Sequence, residues 1–65
     1  MLLDALTKKL EGDVAVAKAN IEVYLSHSVG IGEHPDIIGA IEGELEKLAA
    51  ADEKIKAIEN YLLTY

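Results

Sequence analysis

Cysteine, arginine, tryptophan and phenylalanine are absent from this sequence of 65 residues, and proline occurs once. Because there is no cysteine, neither a disulfide nor a thiolate zinc site can stabilise the fold. Arginine is the usual bidentate donor to phosphate, and the six lysines are outnumbered by twelve acidic residues, so the charge balance argues against nucleic-acid binding. The same acidic balance disfavours anionic membranes.

Long hydrophobic runs are absent as well. No apolar stretch approaches the roughly 20 residues that a helix needs to cross a bilayer. The opening residues, MLLDALTKKL, lack the basic region and the long apolar core of a signal peptide. We therefore expect a cytoplasmic protein.

One short stretch, VGIGEHPD at residues 29–36, concentrates the turn-forming residues. It holds two glycines and the only proline, and a helical pattern lies on each side of it. Gly30 suits the end of the first helix, where a left-handed residue is common, and Pro35 suits the first turn of the second. The sequence thus predicts one domain, 1–65, made of a helix over about 2–29, a turn at 30–34 and a helix over about 35–64.

Apolar residues in the first half of the chain recur at steps of three and four, the spacing of a helix that buries one stripe. The stripe comprises Leu3, Leu6, Leu10, Val14, Ala17, Ile21 and Tyr24. Val16 and Val23 widen it on one side, which indicates contact with more than one neighbouring helix. Gly12 either breaks the helix, with Asp13 capping a new start, or is tolerated within it. Because the stripe keeps its phase across Gly12, we favour a continuous helix.

A second stripe, with a period near 3.5, follows the turn and is typical of helices that coil around each other with a left-handed twist. Its members are Ile38, Ile41, Leu45, Leu48, Ala51, Ile55, Ile58, Leu62 and Tyr65. The opposite face carries glutamates and lysines, as expected of a face in contact with water. Together the two stripes predict an all-α fold, an antiparallel two-helix hairpin.

Two helices alone make a small core, and no disulfide reinforces it, so we expect self-association. The predicted assembly is a homodimer in which two hairpins form a four-helix bundle with the stripes inside. The sequence leaves open whether the hairpins align parallel or antiparallel, and whether two, three or four copies assemble. A compact monomer is the alternative if Gly12 breaks the first helix and a third short helix folds back. The predicted oligomer interface consists of Leu3, Leu6, Leu10, Val14, Ala17, Ile21, Tyr24, Ile41, Leu45, Leu48, Ile55, Ile58 and Leu62.

Small residues also recur every seven positions away from the two stripes. The rows are Ala5, Gly12, Ala19 and Ser26 in the first helix, and Gly43, Ala50 and Ala57 in the second, with Gly39 four residues before Gly43. They either form a second, shallow seam where helices approach closely or fill exposed surface without a packing role. We favour the second interpretation, although glycine is costly inside a helix.

A polar row lies beside the first stripe, at Asp13, Asn20 and His27. Seven residues rise about 10 Å along a helix, so these three side chains lie too far apart to share one ion or substrate. We interpret the row as a polar rim that fixes register with a partner helix.

The turn holds the only cluster of potential metal ligands. Glu33, His34 and Asp36 lie there, with His27 one helical turn earlier, and carboxylates with imidazoles can hold a divalent metal. The proline and the helix start already explain these residues, so they are weak candidates and no metal or other cofactor is predicted. A nucleophile with a base, a Glu-x-x-His pair and a phosphate-binding loop are all lacking, so the sequence predicts no enzyme.

The segment VYLSHSVGIGEHPDIIGAIEGELEKLAAADEKI resembles short, uncharacterised proteins of tailed phages, including those found in marine samples. The resemblance is carried mainly by GIGEHPDI and by the acidic, alanine-rich helix that follows, and it covers about half of the chain. It implies a small accessory protein, located in the host cytoplasm if a phage encodes it, and it brings no functional residues. The architecture is also similar to that of the Rop family, short hairpins that dimerise into a four-helix bundle and bind RNA, although no Rop motif occurs here.

The sequence favours a non-enzymatic scaffold or adaptor that binds itself and another protein through its acidic faces or bundle ends. Two other hypotheses stay open. One is a nucleic-acid-binding bundle of Rop-like architecture. The other is a protein that binds a metal or small ligand at the turn.

Overall fold

The computed structural model describes residues 1–27 and 36–63, and within these ranges the chain forms two α-helices and no strand. Helix α1 spans Leu2–Ser26 and helix α2 spans Asp36–Tyr61. They pack side by side in opposite directions into a rod of 51 × 14 × 12 Å. The predicted helical hairpin is therefore confirmed. Neither helix, over the ranges described, offers a stretch that is both long enough and apolar enough to cross a bilayer.

The end of α1 lies at Ser26 rather than at the predicted residue 29. His27 is the capping residue, and its backbone N–H donates to the Val23 carbonyl over 3.0 Å. The Ser26 hydroxyl also donates to that carbonyl, over 3.2 Å. Such local bonds from side chains to the backbone are favoured at helix ends rather than inside helices. The turn predicted at 30–34 lies outside the described residues, and so do the helix-end roles of Gly30 and Pro35.

The end of α2 lies at Tyr61, ahead of the predicted residue 64. Leu62 and Leu63 follow it in a turn, and the Leu62 N–H donates to the Ile58 carbonyl over 2.9 Å. Tyr65, the last member of the predicted second stripe, lies outside the described residues.

Helix α1 continues through Gly12 without a break, so the interpretation that the glycine is tolerated is confirmed. The ammonium of Lys9 and the carboxylate of Asp13 form an exposed ion pair at 2.8 Å that spans the glycine along the helix surface. Asp13 therefore does not cap a new helix. The alternative of a compact monomer with a third helix required that break, and the structure does not contain it.

The core is a single seam between α1 and α2, and its positions alternate at steps of four and three in both helices. Leu10, Ala51 and Ile58 form the buried cluster at its centre, and Ala17 and Ile37 are buried elsewhere along it. The complete seam comprises Leu3, Thr7, Leu10, Val14, Ala17, Ile21 and Tyr24 of α1, with Ile37, Ile41, Glu44, Leu48, Ala51, Ile55 and Ile58 of α2 and Leu62 just after it.

Three seam positions differ from the predicted stripes. Half-buried Thr7 and Glu44 occupy positions that the prediction gave to the neighbouring leucines, and Ile37 is buried in place of Ile38, which is 69% exposed. Leu6 and Leu45 remain 45% and 53% exposed. The predicted stripes were assigned by following apolar side chains. The packed helices instead keep strict heptad spacing, even where the residue at a seam position is polar.

Candidate functional site

The seam separates two flanks of the hairpin, and one of them contains an open groove of about 410 Å³. The groove lies along the middle of the rod, where the seam residues are Ala17 and Ala51. Because alanine has no side chain beyond Cβ, the two helices leave space above these positions. The walls of the groove are formed by Asp13, Val16 and Asn20 of α1 and by Lys47, Ala50 and Lys54 of α2.

A hydrogen-bonded carboxylate lies at one end of the groove. Oε1 of Glu44 accepts a bond from Asn20 Nδ2 over 2.9 Å, and Oε2 accepts one from Lys47 Nζ over 3.1 Å. The bond from Asn20, followed by that from Lys47, lowers the pKa of Glu44 below its ordinary value, because both donors favour the charged form. Asn20 thereby links α1 to α2 by a side-chain hydrogen bond.

Apolar and small side chains extend the groove towards both ends of the rod. Seven residues after Val16 lies Val23, and seven after Lys54 lies Tyr61; Val16, Val23 and Tyr61 are 61%, 55% and 74% exposed. We call this flank the groove face. By heptad spacing it comprises Leu2, Leu6, Lys9, Asp13, Val16, Asn20 and Val23 of α1, with Asp36, Ala40, Gly43, Lys47, Ala50, Lys54, Ala57 and Tyr61 of α2, together with Glu44 at the seam.

The other flank carries most of the charge of the hairpin. Heptad spacing places six carboxylates and three lysines on it: Asp4, Glu11, Glu22, Glu42, Asp52 and Glu59, with Lys8, Lys18 and Lys56. One ion pair there joins Lys56 to Asp52 at 3.0 Å. The hydrogen bond that Lys56 donates to Asp52 is the main cause that raises the pKa of Lys56. We call this surface the acidic flank.

The two rows of small residues lie on different surfaces. Gly43, Ala50 and Ala57 follow the groove face, whereas the row through Gly12 lies on the exposed side of α1. A Cβ atom added at Gly12, Gly39 or Gly43 would meet nothing within 4 Å. No packing within the hairpin therefore requires these glycines, and the rows do not form a seam inside one copy.

The predicted polar rim divides into three separate local contacts. Asp13 pairs with Lys9, Asn20 bonds to Glu44 across the helices, and the His27 ring lies against its own helix end. Nδ1 of His27 is 3.0 Å from the Val23 carbonyl oxygen. Of the three, Asn20 is the residue that links two helices.

The predicted metal candidates are only partly described. Glu33 and His34 lie outside the described residues, Asp36 is exposed at the start of α2, and the His27 ring bonds to the end of α1. Within residues 1–27 and 36–63, no three carboxylate or imidazole side chains lie close enough to hold a metal ion, and no charged residue is buried.

The residues predicted as the oligomer interface fall into three groups. Leu10, Ala17 and Ile58 are buried between the helices of one copy, and Leu6 and Leu45 are exposed. The others are half-buried: Leu3, Val14, Ile21, Tyr24, Ile41, Leu48, Ile55 and Leu62. The groove face was partly visible in the sequence as the widening of the first stripe at Val16 and Val23.

Comparison with protein-family models, with curated proteins and with solved structures finds no match to this chain. Its function is therefore inferred from its own surfaces. An open groove with small residues at its base, exposed valines along its edge and a few ion-pairing groups is suited to packing against another helix.

Proposed function

We propose that this chain is a small, non-enzymatic interaction protein, which self-associates into a four-helix bundle and acts as a scaffold or adaptor for another protein. The supporting observation is its large exposed surface. One copy exposes 5153 Å², whereas a folded monomer of 7.0 kDa is expected to expose about 4,000 Å². A second copy can cover the excess.

The character of that surface supports the same proposal. Ten large apolar side chains are exposed among the described residues, and none of the large side chains there is completely buried. Isolated apolar side chains are normal on protein surfaces, but in a hairpin with one narrow seam their number exceeds the number of buried ones. Association would move part of this set out of water and add to a core that is small for an independent domain.

Dilution tests the self-association. We expect sedimentation equilibrium at micromolar concentration to give a multiple of 7.0 kDa, and helical circular dichroism to fall as the protein is diluted to nanomolar, because the helices lose their partner. A chain that sediments at 7.0 kDa over the whole range and keeps its full helicity would overturn the proposal.

The adaptor role assigns the second protein to the acidic flank, since those charges stay in water when two copies pack through apolar surface. Capture from the native source tests it, with the double variant Glu11→Gln, Glu22→Gln as bait beside the native chain. We expect a protein that the native chain retains and the variant loses. Equal retention by both baits would contradict an acidic docking surface.

A further inference from the structure

The groove face is close to electrically neutral, although the whole chain carries a net charge of −6. Its charged side chains within the described residues are Lys9, Lys47 and Lys54, with Asp13, Asp36 and Glu44. The acidic flank, by contrast, has twice as many carboxylates as lysines. Two copies that met through their acidic flanks would bring like charges together, whereas two groove faces present both signs to each other.

Charges of opposite sign lie at the two ends of the groove. Glu44 lies at the end marked by its bond to Asn20, and Lys54 lies at the end near Leu10. About ten residues separate them on α2, which corresponds to roughly 15 Å along the helix. The middle of the groove therefore falls near Val16 and Ala50.

Both of these groups can accept a further partner. Lys54 has no carboxylate within 4 Å among the described residues, because the three ion pairs found there involve other lysines. Each oxygen of Glu44 accepts one hydrogen bond, and a carboxylate oxygen can accept two.

We propose that a second copy of this chain docks on the groove face about a two-fold axis, which passes through the middle of the groove and runs across both helices. Each helix then lies antiparallel to its counterpart, and Glu44 of each copy faces Lys54 of the other. This inference rests on the self-association proposed above and adds the face and the orientation. In the alternative two-fold arrangement the axis runs along the rod, so that each helix lies parallel to its counterpart and α1 of one copy lies over α2 of the other. In this parallel arrangement Glu44 would face Asn20 instead of Lys54.

The dimensions of the groove face suit a weak dimer. At about 1.5 Å per residue the face is roughly 35 Å long, and with a width of 12 Å it presents on the order of 400 Å², so two copies would bury about 800 Å², the size of a weak or transient interface. Val16 lies next to the axis and therefore meets Val16 of the other copy. The space above Ala17 and Ala51 accommodates these side chains.

Cross-linking by single cysteines tests the geometry, and the absence of native cysteine removes any background. A residue next to the two-fold axis faces its own counterpart, so we expect Val16→Cys and Ala50→Cys each to form a disulfide-linked dimer on mild oxidation. Ala49→Cys is the control, because it lies at the same level on the acidic flank and should remain monomeric in the denaturing gel. Dimers from a mixture of Val16→Cys with Ala50→Cys, but from neither alone, would show the parallel arrangement and overturn the inference.

Charge reversal provides an independent test. We expect Lys54→Glu and Glu44→Lys each to weaken homodimerisation about tenfold, because each places like charges opposite one another twice. An equimolar mixture of the two variants should associate more tightly than either variant alone, since each Glu44–Lys54 contact between the copies again joins opposite charges. Lys56→Glu, which makes the same change of charge on the acidic flank, should weaken association less.

The outcomes separate this inference from the proposal beneath it. If the native chain sediments as an oligomer but Val16→Cys does not cross-link more than Ala49→Cys, self-association stands and the groove-face dimer is wrong. If Lys54→Glu and Glu44→Lys associate with each other no more tightly than each associates with itself, the antiparallel orientation would also be overturned. Sedimentation at 7.0 kDa throughout would remove both.

Discussion

At the scale of single residues, Glu44 is the position where the hairpin departs furthest from a plain hydrophobic seam. Its side chain is 14% exposed, and Asn20 and Lys47 both donate to its carboxylate, which favours the charged form. A carboxylate left at such a position without donors would be costly. The bond between Asn20 and Glu44 joins the two helices at one level, and polar residues at a seam can specify register in coiled coils.

Protonation of the Glu44 carboxylate should contribute to the pH dependence of stability. The pKa of Glu44 is lowered in the folded chain, so its contribution to stability is present above the ordinary value of 4.5 and is lost as the pH falls through the lower folded value. We expect the melting temperature of the native chain to fall more steeply between about pH 5 and pH 3 than that of Glu44→Gln. Glu46→Gln, which removes the same charge from an exposed position, serves as the control. Equal slopes for Glu44→Gln and the native chain would show that the bonds from Asn20 and Lys47 do not favour the charged form.

At the scale of the helices, periodicity predicted the elements but not every residue of the seam. Spacing identified both helices and the continuity of α1 through Gly12, and the two glycines and the proline between the helices indicated the hairpin. The errors at Thr7, Ile37 and Glu44 share one cause, since at each of them a neighbouring apolar residue was preferred to the residue in heptad phase. A two-helix seam covers only a narrow strip, so one of two adjacent apolar residues, such as Ile37 and Ile38, must stay outside.

The groove itself was not predictable from spacing. An alanine at position 17 or 51 is compatible with the helical pattern whether or not a groove lies beside it, so Ala17 and Ala51 do not by themselves indicate a groove. The groove arises because both alanines occur near the middle of the seam on opposite helices, which depends on the level at which the helices pair. Asn20 and Glu44 bond across the helices at that level, and only the structure shows that they meet.

A substitution at Gly12 tests whether this glycine only lowers the stability of α1 or also packs against another chain. A Cβ atom at Gly12 would meet nothing within 4 Å, and the residue lies inside the helix, where alanine is favoured over glycine by about 1 kcal/mol. We expect Gly12→Ala to raise the melting temperature by about 4–8 °C, with the oligomeric mass unchanged. Gly39→Ala, in the first turn of α2, should raise it less because helix ends fray. A lower melting temperature for Gly12→Ala, or a loss of association, would instead show that the row of small residues on α1 packs against another chain.

At the scale of the whole molecule, the hairpin is a rod whose proportions follow from having one seam. Its radius of gyration is 15.1 Å, whereas a compact domain of this length is expected to have roughly 11 Å. Each helix contacts one neighbour only, so apolar surface is left along both flanks. Side-by-side pairing would cover much more of that surface than contact through the narrow ends of the rod.

Small-angle X-ray scattering distinguishes these two modes of assembly. If copies pack along the groove face, the mass should double while the maximum dimension stays close to the 51 Å length of one rod, because the second copy adds thickness and not length. End-to-end contact would instead give a particle about twice as long, since the ends rather than the flanks would meet. Lys54→Glu mixed with Glu44→Lys should give the same profile as the native chain, and Lys54→Glu alone at low concentration should scatter with a smaller mass. A doubled length at doubled mass would contradict lateral packing, because no arrangement of two parallel or antiparallel rods side by side produces it.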